Sequence, residues 1–207
     1  MPRETTTYAE LLASPVGGES TDRRILDAAL ELFAELGITR VSIDDIARRA
    51  GVNRATLYRR IGGKDAVVRA ALIQETTRIL DDIATRLRAI PDDRQRIIDG
   101  LVITVTTLRA HPILHKVLAV DREQTLAAVT LDAGDILNLA TVFVAQEILT
   151  VRPDGNQLHD IEPLAGMLVR LTHSLVLIPD TPPRLDTDDA LRDFAARYLV
   201  PLVRSDT

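Results

Sequence analysis

Six cationic residues stand close together in one short stretch: Arg48, Arg49, Arg54, Arg59, Arg60 and Lys64. No acidic residue lies between Ile46 and Lys64. Such a density of guanidinium and ammonium groups suits contact with a polyanion. Arg pairs bidentately with guanine edges, and Lys or Arg neutralises phosphates. The remainder of the chain has the opposite sign. From Ala66 onward, 15 basic residues are outnumbered by 20 acidic ones, and the 207-residue chain carries a net charge of −5. A basic island on an acidic body is a local electrostatic footprint, and the local field matters more to a charged partner than the total.

The elements around the island are those that would aim it. Ser42-Ile43-Asp44-Asp45 is a capping box opening a short helix to about Ala50. Gly51-Val52 makes a turn, and Asn53 caps another helix through about Arg60. Two helices meeting steeply need a small residue where they cross, supplied by Ala47, and a positive φ in the turn, supplied by Gly51. Ile46, Ala50, Val52, Leu57 and Ile61 are all apolar at the inward positions. Residues 42–61 therefore read as a helix-turn-helix. The outward face of its second helix is Arg54, Ala55, Tyr58 and Arg59, with Thr56 at the N-terminal edge. Arg suits guanine, Ala and Thr suit a thymine methyl, and Tyr58 can donate to a phosphate. Lys64 opens the next helix, where its ammonium and the free backbone N–H groups face the same way, toward a phosphate. The plain alternative is an amphipathic helix pair with a solvated basic face. The capping box, the small-residue turn and the Gly62-Gly63-Lys64 exit weigh against it.

Helical periodicity extends over most of the chain. A first helix is predicted from about Thr21 to Leu36, with Ile25, Ala28, Ala29, Leu32, Phe33 and Leu36 on one stripe and Gly37 as its stop. Later helices are predicted over about Lys64–Ala89, Asp92–Ala110, Ile113–Thr130, Asp132–Val151, Ile161–Ile178 and Thr187–Val203, divided by Pro and Gly. Leu101–Thr107 is β-branched and alone could be a strand, but its flanks are helical. The fold class is all-α. A flexible arm over 1–19, with a helical turn at Tyr8–Leu12, precedes a DNA-binding domain over 20–66. A larger helical domain follows over 67–207, the one to which the resemblance given below assigns effector binding and dimerisation. There is no cysteine, which excludes disulfides and thiolate chemistry and fits a reducing cytoplasm. No uncharged apolar run of membrane length occurs, so no membrane span is expected, and the N-terminus lacks a secretory pattern.

The stretch from Ile25 to Val68 resembles the DNA-binding domain of the TetR family. The matching residues are Ala-x-x-Leu-Phe of the first helix, Gly37, Ser42, Ile46-Ala47, Ala50-Gly51-Val52, Thr56-Leu57-Tyr58-Arg59 and Lys64. Two departures occur: Arg60-Ile61 where the family usually has His-Phe, and Gly63-Lys64-Asp65 where it has Ser-Lys-Glu. The resemblance implies DNA contact by Ser42, Arg54, Thr56, Tyr58 and Lys64, with Ala55 and Arg59 beside them. It implies a one-component repressor that binds a palindromic double-stranded operator as a homodimer. It also implies an effector pocket in the larger domain and an interface built by the last two long helices.

The residues support the dimer separately. Leu164, Leu168, Leu171 and Leu175, flanked by Ile161 and Ile178, make a narrow seam of coiled-coil spacing. Leu191, Phe194, Ala195, Tyr198 and Leu202 form a second stripe. Both stripes could instead pack within their own subunit. Leu101–Leu108 and Ile136–Leu149 are apolar almost all round, which suggests a small hydrophobic effector. Thr104, Thr107, Gln146 and His173, with Phe143 as an aromatic wall, are the candidates to line its pocket. Each also has an ordinary structural reading, such as a threonine bonding the preceding turn. His111 and His115 are four apart, but Pro112 puts His111 at the helix cap and no third ligand is near, so no metal is assigned. No catalytic or cofactor motif is present, and none is expected. The competing classes are a small helical enzyme or binding protein with an incidental basic helix pair, and a scaffold without DNA affinity.

Overall fold

The computed structural model describes residues 20–120, 133–152 and 158–204. The predicted arm over 1–19, its turn at Tyr8–Leu12, and the predicted extension of the helix from Ile113 past Val120 lie outside the described residues. Every regular element among the described residues is helical. In order they are α1 (Ser20–Leu36), α2 (Ile43–Arg49), α3 (Arg54–Arg60), α4 (Lys64–Arg88), α5 (Asp93–Arg109), α6 (Pro112–Val120), α7 (Gly134–Val151), α8 (Leu158–Leu177), α9 (Asp188–Phe194), a π-helical turn (Ala195–Leu199) and α10 (Val200–Arg204). The chain forms two compact units, and the division falls inside α4, after Arg78.

One unit holds α1 to α3, the first part of α4 and, from further along the chain, α6. Its core is built from the stripe predicted on α1, except Leu36 in the last turn, which is exposed. Ile25, Ala29 and Phe33 are wholly buried and meet Ile46 of α2, Leu57 of α3, Val67 and Ala71 of α4 and Ile113 of α6. Burying a large apolar side chain is worth about 1.5–3 kcal/mol, so this cluster suffices to hold short helices that would not persist alone. The chain leaves α1 through Gly37 at φ +86°, whose N–H reaches the Phe33 carbonyl at 3.0 Å.

The other unit holds the rest of α4, then α5, α7 from Leu137 onward, α8, α9, the π turn and α10. Ile98, Leu101, Val102 and Val105 of α5 pack with Leu175, Leu185, Leu191, Ala195 and Leu199. Ala145, Ile148 and Val151 of α7 pack with Ile161 and Ala165 of α8 and Val203 of α10. Leu101–Thr107 is helical, as its flanks imply. Burial outweighs the weak propensity of β-branched residues, and the Thr106 hydroxyl donates to the Val102 carbonyl at 2.7 Å. Arg109 at the end of α5 donates to the carbonyls of Leu185 and Leu175, at 2.8 and 3.0 Å. By length and composition α7 could cross a membrane, although it carries Asp135 and Glu147 and buries Ala145 and Ile148 in this core.

The last predicted helix is interrupted. It starts as expected at Thr187, whose hydroxyl accepts from the Ala190 N–H at 3.2 Å. It then widens into the π turn, where the Val200 N–H bonds the Ala195 carbonyl. Pro201 follows directly. Its ring crowds the carbonyl four residues back and it has no N–H to give, so a widened turn just upstream relieves both conflicts.

Candidate nucleic-acid interface

α2 is positioned by its cap. The Ser42 hydroxyl accepts from the Asp45 N–H at 3.2 Å and donates to the Asp45 carboxylate at 2.5 Å, which also accepts from the Ser42 N–H at 3.1 Å. These bonds hold the Asp45 carboxyl below the ordinary carboxylate range. They also engage the Ser42 hydroxyl proton, so any phosphate contact at Ser42 must compete with the box. α3 is started by Asn53, whose side-chain oxygen accepts from the Thr56 N–H at 2.7 Å. Between the two helices Gly51 has φ +66°. Arg24, from α1, donates to the Ala50 carbonyl at the end of α2, at 2.6 Å. The sequence does not single out Arg24, because nothing local marks which of the two α1 cations, Arg23 or Arg24, reaches the turn 26 residues on.

Leu57 is wholly buried on the inner side of α3, while Arg54, Ala55, Tyr58 and Arg59 are exposed on the outer side. Thr56 is half-buried at the edge. The Lys64 ammonium donates to the Thr39 carbonyl at 3.1 Å, which fixes it at the start of α4.

The basic island does not stand as a free cluster of charge. Arg48 pairs with Asp45 at 3.0 Å. Arg49 bridges to Glu31 and Glu35 of α1, at 3.1 and 2.9 Å, and the bond to Arg49 lowers the Glu35 carboxyl below its ordinary range. Arg54 pairs with Asp44 at 3.1 Å, and Arg60 approaches Asp22 of α1 at 3.7 Å. Arg59 alone among the six has no acidic or carbonyl partner among the described residues. The acids come from α1 and from the first turn of α2, both outside the stretch from Ile46 to Lys64.

The same unit contains an open cleft of about 370 Å³, lined by Asp27, Glu31, Glu75, Arg78, His111 and neighbouring apolar residues. There His111 Nε2 meets the Glu75 carboxylate at 3.0 Å and holds that carboxyl below its ordinary range. His115 is exposed.

The expected effector residues lie in the other unit. Thr104, Thr107, Gln146 and His173 are half-buried and Phe143 is buried. Thr107 accepts from Arg86 at 3.0 Å. None of the five lines the cleft described above. Burial pushes the half-buried Glu147 carboxyl above its ordinary range, against the pull of Arg88 and Arg96. Of the expected interface residues, Leu175 and Leu191 are buried within their own subunit, and Leu164, Leu168, Leu171 and Phe194 are half-buried. Tyr198 and Leu202 are exposed, as is Met167 of α8.

Comparison with known proteins decides the family. Residues 25–71 match the model of bacterial regulatory proteins of the tetR family. Residues 92–197 match the bacterial tetracyclin repressor C-terminal domain. The chain belongs to the TetR family. A helix-turn-helix-type transcriptional regulator of Mycobacterium tuberculosis is 28% identical over 180 residues, covering 87% of this chain and 84% of the relative. The putative mycofactocin biosynthesis transcriptional regulator MftR of the same species is 52% identical over 48 residues, 23% of this chain and 24% of that one. Among solved structures, the TetR-family repressor AlkX of Dietzia has a TM-score of 0.70 at 17% identity, covering 90% of this chain and 96% of that one. The fatty acid degradation regulator FadR of Bacillus halodurans has a TM-score of 0.59 at 19% identity, covering 91% and 98%. These two share the fold. The protein is a TetR-family transcriptional regulator with a DNA-binding helix-turn-helix, and α2 and α3 are that motif.

Proposed function

We propose that this TetR-family regulator is a ligand-responsive repressor that binds a palindromic operator as a homodimer and leaves it when a small hydrophobic effector binds the larger helical unit. The observation that carries the DNA-reading part is the two-sidedness of α3. Leu57 anchors it inside, and Arg54, Ala55, Tyr58 and Arg59 stand exposed together outside. Ser42, Thr56 and Lys64 flank that face. Two such helices about 34 Å apart would reach successive major grooves. Exposed Met167, Tyr198 and Leu202, beside half-buried Leu164, Leu171 and Phe194, support a second copy as the cover for α8 and the last helix. The apolar make-up of α7 and Leu101–Leu108 supports a hydrophobic effector, with Thr104, Thr107, Phe143, Gln146 and His173 as the residues to probe. The reading places the protein in the cytoplasm and assigns it no catalysis and no cofactor.

The test is selection from a library of random duplexes by the full chain, with sedimentation to fix its oligomeric state. A two-fold symmetric motif bound by a dimer, with affinity falling steeply in salt, is expected. Arg59→Ala should reduce the salt slope by about 1 for each phosphate contact removed. Arg49→Ala should leave the slope unchanged, because Arg49 is engaged by Glu31 and Glu35. A subunit that stays single in dilute solution and enriches no motif would overturn the reading.

A further inference from the structure

We propose that Asp44 is a specificity-determining residue: it holds Arg54 in one pose, so that the guanidinium reads a base edge instead of sweeping across phosphates. The inference rests on DNA reading by α3. Arg54 is the first residue of α3, and Asp44 lies in the first turn of α2, ten positions earlier. The Arg54 Nη1 donates to both Asp44 carboxylate oxygens, at 3.1 and 3.3 Å. Its Nη2 donates to the Tyr58 hydroxyl at 3.4 Å, and its Cζ sits 5.4 Å from the Tyr58 ring centroid. Three hydrogen bonds and a ring contact, from two helices, therefore fix a long, rotamer-rich side chain.

The side chains of Arg54 and Asp44 are 59% and 56% exposed, so the tie buries nothing and does little for stability. Its placement makes more sense as orientation. Only Nη1 is taken by the carboxylate. Nε makes no hydrogen bond among the described residues, and beside Nη2 it forms the guanidinium edge that presents two parallel donors, the geometry that matches the O6 and N7 acceptors of guanine once the long 3.4 Å contact to Tyr58 yields. The Asp44 carboxylate works in the other direction as well. It offsets the Arg54 charge and repels nearby phosphate, which weakens sequence-independent binding. A fixed donor pair with its excess charge cancelled discriminates; a free cation only attracts.

This predicts an uncommon sign. Asp44→Ala should bind random-sequence duplex several-fold more tightly than the wild type, with a steeper salt slope, because Arg54 is released to phosphates. At the same time it should lose about tenfold in preference for the base that Arg54 reads, the scale of one bidentate contact. Asp44→Asn, which keeps the shape and removes the charge, should move both readings the same way. Arg54→Ala should erase that preference while lowering affinity for random duplex. The experiment is selection from a random duplex library by the full-length wild type, Asp44→Ala, Asp44→Asn and Arg54→Ala, followed by titration of each with the wild-type motif and with random duplex. A purely structural tie would lower all binding together and leave the selected motif intact, and that result would overturn the proposal. Identical motifs from the wild type and both Asp44 variants would do the same while leaving DNA reading in place. A wild type that enriches nothing would overturn DNA reading by α3 and this inference with it.

Discussion

Gly51→Ala is the substitution whose cost can be worked most directly from the structure. Gly51 sits at φ +66°, the left-handed region, where an L side chain costs about 1–2 kcal/mol. A Cβ there would also stand 3.2 Å from Arg24 Nη2, the atom that donates to the Ala50 carbonyl at 2.6 Å. The guanidinium would have to give way by a few tenths of an ångström. A hydrogen bond from a charged donor is worth about 1.5–3 kcal/mol, so partial loss adds roughly 0.5–1 kcal/mol. The total is about 2 kcal/mol, or a fall in Tm of about 4–8 °C for a chain of this length. Thermal melts at fixed protein concentration, followed by far-UV circular dichroism, measure it. The cycle with Arg24→Ala separates the two parts. In that background Gly51→Ala should cost only the backbone share, about 1–2 kcal/mol. A cost below about 0.5 kcal/mol, or the same cost with and without Arg24, would show that the turn is not held as described.

Three further outcomes are expected. Leu57→Ala empties a wholly buried site between α3 and the core, and should cost about 2–5 kcal/mol, read as a lowered melting temperature and lost DNA binding. The Asp45 carboxyl is held low by Ser42, so its contribution is present above the ordinary carboxylate range and is lost as pH falls through the folded value. Ser42→Ala should accordingly lower Tm by about 2–4 °C at neutral pH and by progressively less in acid, which melts across a pH series would show. Glu147 is shifted the other way by burial, so its proton favours the folded state and that benefit disappears as pH rises through its raised value. Glu147→Gln should therefore melt no lower than the wild type at neutral pH and lose any advantage in acid; a lower melting temperature at neutral pH would contradict the burial argument.

Much of the fold was legible because it depends on local signals. The stripe Ile25, Ala29, Phe33 marked α1, Ser42 and Asn53 marked the starts of α2 and α3, and Thr187 marked α9, each through an interaction spanning a few residues. The π turn was not legible, since the pattern around Ala195–Leu199 is ordinary and only Pro201 hints that the hydrogen bonding must shift. The inclusion of α6 in the helix-turn-helix unit was not legible either. Ile113 joins that core from more than forty residues beyond Ala71, and periodicity says that a face is apolar without saying which core receives it.

By itself the sequence determined that the chain is helical, the caps at Ser42, Asn53 and Thr187, the turn at Gly51 and the family, because these follow from residue types at short separations and from motif matches. Only the tertiary structure decided what the basic island amounts to. Packing α1 against α2 brings Glu31 and Glu35 onto Arg49, the approach of α1 to the end of α3 brings Asp22 toward Arg60, and the crossing of α2 and α3 sets Asp44 on Arg54. Charge counted along the chain is a one-dimensional quantity. The potential a partner meets depends on inverse distance in space, so acids far off in sequence cancel cations that look unopposed.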